Sequence, residues 1–177
     1  MSVQIFVDES KAGGFLLAAA QVPCGAVSRV RDKVTALHLP KQVRLHFTNE
    51  SPQRRRQIIS TLASISDISA TIYDASGYGE DGKAGRDAAV AQMAAGAARI
   101  RASRIVLERD DSAVEQDSAI IRAQLADADV EDVTGVDHLR ARDEPLLAIP
   151  DALAWCWAKG GEWRKLADPL IADVMLL

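Results

Sequence analysis

Three carboxylates in the sequence occupy positions where an ionised side chain is costly to bury. Asp8 ends a strand-forming run, Glu108 follows the apolar residues 105–107, and Asp151 is the one charged residue in the segment 145–158. A buried carboxylate needs a cation, hydrogen-bond donors or another acid that shares a proton. Three acids together predict a site for Mg²⁺ or Mn²⁺, which prefer oxygen ligands. Such a site can activate water and stabilise charge on a phosphoryl group.

Each of these acids also has a structural interpretation that the sequence leaves open. The strand that carries Asp8 is also consistent with a chain that leaves the core and enters a polar turn. Glu108 is also consistent with a surface ion pair to Arg109 or Arg101. Asp151 is also consistent with the N-cap of a helix that begins directly after it.

Two further acids compete for a place in the same cluster. Asp74 ends another strand-like run and is an alternative to Glu108 as the second ligand, although the glycine-rich loop behind it favours a turn. Glu9 is either a further ligand beside Asp8 or a solvated neighbour. The hypothesis therefore rests mainly on Asp8, Glu108 and Asp151, which are predicted to be both catalytic and metal-binding.

The hydrophobic pattern predicts the elements that position these acids. Apolar periodicity of two predicts strands at residues 3–8, 15–22, 68–74 and 103–108, a short strand or extended segment at 43–47, and a last, edge-like strand at 130–136. Helical periodicity predicts helices at residues 26–39, 52–65, 84–101, 112–126, 145–158 and 162–175, and Pro169 is a point where the last of these can be interrupted. An initial hairpin followed by strand–helix alternation predicts one α/β domain over residues 1–177, with a mixed sheet of about five strands and helices on both faces.

Composition narrows the function classes. The 177 residues are 48% hydrophobic and 26% charged, which is typical of a soluble globular domain. The net charge of −4 supplies no global attraction for nucleic acid, so a nucleic-acid role requires a local basic surface. No apolar run approaches the ~20 residues of a membrane span, and no signal peptide is visible. Two cysteines without metal spacing fit a reducing environment, and a cytoplasmic, non-membrane protein is expected.

Four segments, in order, resemble one family. The segment Phe6-Val7-Asp8-Glu9-Ser10 matches the opening "(I/F)-(I/V)-D-E-S" of the bacterial domain-of-unknown-function family 3800, and Leu45-His46-Phe47 with Glu50 is similar to its "L-H-x-x-(D/E)" segment. The run that ends at Glu108 resembles a later strand of that family. The segment 145–154, which contains Asp151, resembles its closing "L-Q-(I/L)-A-D-(L/A)-(I/L)-A" helix.

The resemblance implies a ribonuclease H-like fold and metal-dependent phosphodiester cleavage. It implies that Asp8, Glu108 and Asp151 hold the metal, with Glu9 and Glu50 as secondary candidates. His46 would contact a phosphate or assist the leaving group. The sequence departs from the family pattern at a few positions: Lys11 replaces a glycine, Glu108 replaces an aspartate, and Ala148 and Pro150 alter the closing motif.

Basic residues near these segments are candidates for nucleic-acid binding. Arg54 and Arg55 begin a predicted helix shortly after His46, and Arg140 and Arg142 precede the helix of Asp151. Contacts from arginine to phosphate give sequence-neutral, salt-dependent binding.

Three functions compete at this point. The first is a metal-dependent nuclease or other phosphodiester-processing enzyme. The second is a catalytically inactive ribonuclease H-like module that binds a protein partner or regulates one. The third is a glycoside hydrolase with paired carboxylates, which would need an aromatic sugar platform beside the acids. An exposed apolar patch around Trp155, Trp157 or Trp163 would favour a homodimer or a protein partner.

Overall fold

Six strands form one sheet in the computed structural model, which describes residues 2–79 and 81–177. Their alternating, β-branched sequences suit half-buried strands, as the periodicity predicts. The strands are β1 Val3–Ser10, β2 Leu16–Pro23, β3 Ser69–Asp74, β4 Arg104–Glu108, β5 Gly135–Leu139 and β6 Ile171–Leu176. Their order across the sheet is β5-β4-β1-β2-β3-β6, so β1 lies in the interior.

The sheet is mixed, as the sequence predicts. β1 pairs antiparallel with β2, and β2 with β3, while β4 lies parallel to both β1 and β5 and β6 lies parallel to β3. The β1–β2 hairpin turns at Gly13 and Gly14, which have φ values of 78° and 123°. A Cβ atom at Gly14 would lie 2.7 Å from Cβ of Ser76, so glycine is required there by both conformation and space.

Helices cover both faces of the sheet, which confirms the predicted layering. They are α1 Val27–Thr35, α2 Pro52–Ala63, α3 Gly82–Arg99, α4 Val114–Asp127, α5 Ala148–Lys159 and α6 Gly161–Ala167. α3 and α4 pack on the face that carries Ile5 and Val7 of β1, whereas α1, α2 and α5 pack on the face that carries Phe6. The alternation of side chains along β1 therefore divides the core in two.

Local sequence explains the start of α2. Ser51 is its N-cap, and the Ser51 hydroxyl accepts a hydrogen bond of 3.3 Å from the backbone N–H of Arg54. Pro52 occupies the first helical turn, where no amide hydrogen is needed. This geometry matches the helix start that the sequence predicts.

The prediction of a last strand at residues 130–136 is wrong in position. The backbone N–H of Val130 donates to Leu125 O, so this residue closes the turn after α4, and its side chain is buried there. β5 begins at Gly135 and continues through His138. Its place at the edge of the sheet agrees with the prediction.

The helix predicted for residues 162–175 is wrong beyond the interruption expected at Pro169. It ends at Ala167, and the chain then makes a 3₁₀ turn at Asp168–Leu170 and enters β6. Pro169 removes a helical amide hydrogen at that point, and β6 finds a partner in β3. Of the two forms predicted for residues 43–47, the structure has no strand, and His46 keeps an extended backbone while the N–H of Phe47 donates to a carboxylate rather than to a sheet partner.

Candidate active site

Asp8 and Glu108 leave neighbouring parallel strands on the same face of the sheet. Phe6 of β1 lies opposite Val106 of β4, and Val7 lies opposite Leu107. Since side chains alternate along each strand, Asp8 and Glu108 point to the face of Phe6 and Val106, which α5 covers. The carboxyl ends of the two strands thus bring two acids from distant parts of the sequence side by side.

Asp151 joins them from the first turn of α5. Its Oδ2 accepts a hydrogen bond of 2.8 Å from the backbone N–H of Phe47 and lies 3.2 Å from Nδ1 of His46. The N-cap of α5 is Leu147, so Asp151 does not have the capping role that the sequence left open. Instead it fixes the loop before α2 against α5.

These acids line one open cavity of about 500 Å³. Asp8, Glu108 and Asp151 contribute carboxylates to its wall, and Glu9 borders it as well. The remaining polar or aromatic lining side chains are Ser10, Lys11, Arg44, His46, Thr48 and Trp155. We call this space the acid cavity. It is large enough for a phosphodiester and part of the flanking nucleotide.

The Asp8 carboxyl is buried and lies close to other negative charges. Burial raises the pKa of the Asp8 carboxyl well above its usual range, and the negative charges of Asp151 and Glu108 raise it further. The backbone N–H of Glu9 donates to Asp8 Oδ1 at 2.7 Å and offsets only part of this effect. A cation in the acid cavity would therefore relieve an electrostatic cost that Asp8 carries in the folded protein.

Glu108 and His46 are shifted in ways that fit the same cavity. Burial raises the pKa of Glu108, although the N–H of Ala141 and the charge of Arg44 act against it. The hydrogen bond to Asp151 raises the pKa of His46 and favours the imidazolium form. The cavity thus holds two acids, Asp8 and Glu108, with raised pKa values beside a histidine whose pKa is also raised.

The donor set has the chemistry of a Mg²⁺ or Mn²⁺ site, because all three principal ligands would be carboxylate oxygens. In residues 2–79 and 81–177, however, no three or more His, Cys, Asp or Glu side chains are grouped closely enough to hold an ion as they stand. Arg44 Nη1 lies 3.8 Å from Glu108 Oε1 and occupies part of the space beside that carboxylate. Metal binding therefore requires these side chains to draw together.

Glu9 belongs mainly to the opposite face of the sheet. There it pairs with Arg86 of α3, whose guanidinium also binds Asp117 of α4 at 2.7 Å. Lys11 lies 3.0 Å from the other Glu9 oxygen. Glu9 therefore has a structural role in this ion-pair cluster, which accounts for its carboxylate without a metal.

Glu50, Arg54 and Arg55 lie outside the lining of the acid cavity. Glu50 is 8% exposed, accepts from Gln42 Nε2 at 2.6 Å and lies 3.5 Å from Arg54. Arg55 donates to the carbonyls of Phe47 and Thr48 at 2.8 and 2.6 Å. These groups hold together the loop that carries His46.

Arg140 and Arg142 lie near the end of β5 and line a separate, open depression with Arg109 and His138. Arg140 binds Asp111 at 3.0 Å, and Arg142 lies 3.7 Å from Asp143. The structure therefore does not bring these two arginines into the acid cavity.

Asp74, the sequence-based rival of Glu108, is also elsewhere. Its Oδ1 accepts a hydrogen bond of 3.0 Å from the N–H of Ser76, which is the turn role that the glycine-rich loop suggests. It does not line the acid cavity.

Arg44 and Trp155 line the cavity and were not among the sequence-based candidates. Both carried a usable signal. Arg44 is two residues before His46 in an extended segment, so the two side chains share one side of it. Trp155 is four residues after Asp151 in α5, which places both on one helix face. One aromatic side chain, Trp155, therefore does lie beside the acids.

No family model matches the chain, and no curated protein matches it. Among solved structures, ribonuclease HII in the complex of PCNA and RNase HII from Archaeoglobus fulgidus is similar, with a TM-score of 0.58 and 17% identity over 88% of this chain and 71% of that one. The chain therefore has the ribonuclease H-like fold. None of the described helices is long and apolar enough to cross a membrane.

Proposed function

We propose that the protein is a divalent-metal-dependent nuclease or related phosphodiester hydrolase, with Asp8, Glu108 and Asp151 as the ligands of Mg²⁺ or Mn²⁺. The observation that supports it is the convergence of three carboxylates from two adjacent strand ends and a facing helix on one cavity, with the pKa of Asp8 raised by burial and by its acidic neighbours. The resemblance to the domain-of-unknown-function family 3800 and the ribonuclease H-like fold support the same activity.

Five residues of the acid cavity have a role in this proposal. A bound cation would polarise the phosphate and lower the pKa of an attacking water. Asp8 and Glu108 hold that cation from the sheet, and Asp151 holds it from α5. Arg44, exposed beside Glu108, binds a non-bridging phosphate oxygen and exchanges its carboxylate partner for the substrate.

His46 is positioned to act on the leaving group. Its Nδ1 is hydrogen-bonded to Asp151, which orients the ring and favours the protonated form. Nε2 is the nitrogen left to donate a proton to the leaving oxygen. This arrangement needs no general acid from outside the cavity.

The experiment that tests the proposal combines metal titration with cleavage. Mn²⁺ and Mg²⁺ binding to the wild type and to Asp8→Asn and Asp151→Asn would be measured by calorimetry. Labelled single-stranded and duplex DNA and RNA would be incubated in the same buffers. Asp74→Asn is the matched control, because Asp74 also ends a strand but binds only the Ser76 amide.

The expected result is metal-dependent cleavage that both cavity variants lose and Asp74→Asn retains. Cleavage that survives Asp8→Asn would overturn the assignment of the acids. No metal binding and no cleavage would favour a non-catalytic module that binds a partner. Two observations favour that non-catalytic alternative: the three carboxylates are not grouped closely enough to hold an ion, and Arg44 contacts Glu108.

A further inference from the structure

A row of aromatic and guanidinium side chains leads away from the acid cavity. Trp155 lines the cavity, and its ring centroid lies 5.2 Å from that of Trp163 at an interplanar angle of 87°. The ring of buried Phe47 lies edge-on to both indoles, with centroid separations of 5.3 Å to Trp155 and 6.5 Å to Trp163. Both tryptophans are half-buried, so part of each indole remains at the surface.

An arginine of α2 lies over each of these two indole rings, and the two arginines are consecutive in the sequence. The guanidinium carbon of Arg55 lies 4.3 Å from the centroid of Trp155, and that of Arg56 lies 4.9 Å from the centroid of Trp163. We call the four side chains the Trp–Arg row. Both pairs join α2 to another helix, since Trp155 belongs to α5 and Trp163 to α6.

The charge of this surface differs from that of the whole chain. The protein has a net charge of −4 and the acid cavity is lined by carboxylates, yet the adjoining row carries Arg55 and Arg56. Glu162 binds Arg56 of the row, but this carboxylate is 63% exposed, so solvent screens its charge. A polyanion with planar, apolar groups is complementary to such a surface.

Resting on the proposed nuclease function, we propose that the Trp–Arg row binds the unpaired nucleotides next to the scissile phosphate, so that the substrate is single-stranded nucleic acid or a single-stranded segment. Bases pack against indole and guanidinium planes, which are planar and tolerate any sequence. Arg56 contacts the phosphates between those bases, whereas Arg55, which donates to the carbonyls of Phe47 and Thr48, contributes its guanidinium plane. The bases of a continuous duplex are already stacked on one another and cannot pack on this row.

Binding can be measured without metal, so that it does not depend on cleavage. The probe is a fluorescein-labelled dT₁₂ strand in EDTA, followed by anisotropy and by quenching of tryptophan fluorescence. Its matched competitors are an abasic 12-mer, which keeps the phosphates and lacks the bases, a 12-base-pair duplex, and rU₁₂, which separates DNA from RNA.

We expect dT₁₂ or rU₁₂ to bind at least about tenfold more tightly than the abasic strand and the duplex, in keeping with the contribution of base–aromatic stacking. Tryptophan emission is quenched by the strands with bases and not by the abasic strand. Equal affinity for dT₁₂, the abasic strand and the duplex would overturn the proposal, because phosphate contacts alone would then account for binding.

Variants locate the surface. Trp163→Leu and Arg56→Gln are each expected to weaken dT₁₂ binding about three- to tenfold, with little change for the abasic strand in the case of Trp163→Leu. Arg164→Gln is the control, because Arg164 lies 4.2 Å from the centroid of Trp157, whose indole is buried and lies outside the Phe47–Trp155–Trp163 cluster. Equal losses in Arg56→Gln and Arg164→Gln would contradict the assignment.

The two proposals fail separately. If single strands bind through the Trp–Arg row but no metal-dependent cleavage occurs, the binding proposal stands and the nuclease proposal is overturned. If continuous duplex is cleaved with metal and strands that carry bases are not preferred, the nuclease proposal stands and the binding proposal is overturned. The fold of each variant is checked by circular dichroism before its affinity is interpreted.

Discussion

Nδ1 of His46 lies 3.2 Å from Oδ2 of Asp151, which joins the loop before α2 to the first turn of α5. The same carboxylate accepts the backbone N–H of Phe47, so a single aspartate fixes both the backbone and the side chain of this loop. The pair has a consequence for stability that can be measured in the metal-free protein.

Because Asp151 raises the pKa of His46, the folded state binds a proton more tightly than the unfolded state does. The stabilisation is complete below the ordinary histidine pKa of 6.5 and is lost as the pH rises through the raised value. We expect His46→Gln to lower the melting temperature in EDTA more at acidic than at alkaline pH.

His138 provides a control of opposite sign. Burial lowers its pKa, so its protonation disfavours the folded state as the pH falls below the ordinary value. His138→Gln should therefore remove a loss of stability at acidic pH. If both variants changed the pH profile in the same direction, the assignment of the His46–Asp151 pair would be wrong.

Asp8→Asn is expected to stabilise the metal-free protein. The pKa of Asp8 is raised by burial and by Asp151, so its ionised form is a cost at neutral pH that disappears as the pH falls through the raised pKa. An amide of the same shape should increase the free energy of unfolding in EDTA by about 1–3 kcal/mol, the range for a poorly compensated buried polar group.

Addition of Mn²⁺ should make the wild type more stable than Asp8→Asn. The wild type gains stability by binding the ion, whereas Asp8→Asn should gain little. Urea denaturation with and without metal measures both effects, and Asp74→Asn should behave like the wild type in each. A less stable Asp8→Asn protein in EDTA would show that this carboxylate is already compensated.

Arg44→Gln should strengthen metal binding and weaken substrate binding. The Arg44 guanidinium lies 3.8 Å from Glu108 and competes with a cation for that carboxylate. A charge pair at about 4 Å in a water-like environment is worth about 1 kcal/mol, so the dissociation constant for Mn²⁺ should fall about fivefold in calorimetry. Arg142→Gln removes the same charge from a surface pair with Asp143 and should leave the constant unchanged.

Arg86→Met should be strongly destabilising, although it lies outside the acid cavity. Arg86 is 12% exposed and pairs with Asp117, which is 2% exposed, and with Glu9. Its loss leaves the buried Asp117 carboxylate without a cation and leaves Glu9 paired only with the exposed Lys11, at a cost of about 3–5 kcal/mol in urea denaturation.

Lys83→Met is the matched control for that prediction. Lys83 is 77% exposed and pairs with Asp87 at 3.2 Å on the same helix, so its loss should cost less than about 1 kcal/mol. Similar losses in the two variants would contradict the buried role of the Arg86 cluster.

The strands that position Asp8 and Glu108 were predictable because their alternation is strong. Val3, Ile5 and Val7 on one face and Phe6 on the other fix β1, and the apolar run before Glu108 fixes β4. The face of Asp8 followed from that alternation, which left only the pairing of β1 with β4 to bring the two acids together.

The errors arise where tertiary partners override local pattern. The residues of β6 are equally compatible with a helix, and its pairing with β3 decides the outcome. Val130 has strand propensity, but it is buried as the closing residue of a turn after α4. Likewise the pairing of Arg86 with Asp117 joins two helices, and no spacing in the sequence specifies it.

The parallel pairing of β1 with β4 also has a kinetic consequence. Asp8 lies in a hairpin that forms through local contacts with β2. Glu108 reaches Asp8 only after α3 has crossed the sheet, and Asp151 does so only after α5 has packed on β1 and β2. Closing such long loops is slow and belongs to the late steps of folding. A nascent or partly folded chain therefore has no assembled acid cavity, which confines any hydrolytic activity to molecules that have finished folding.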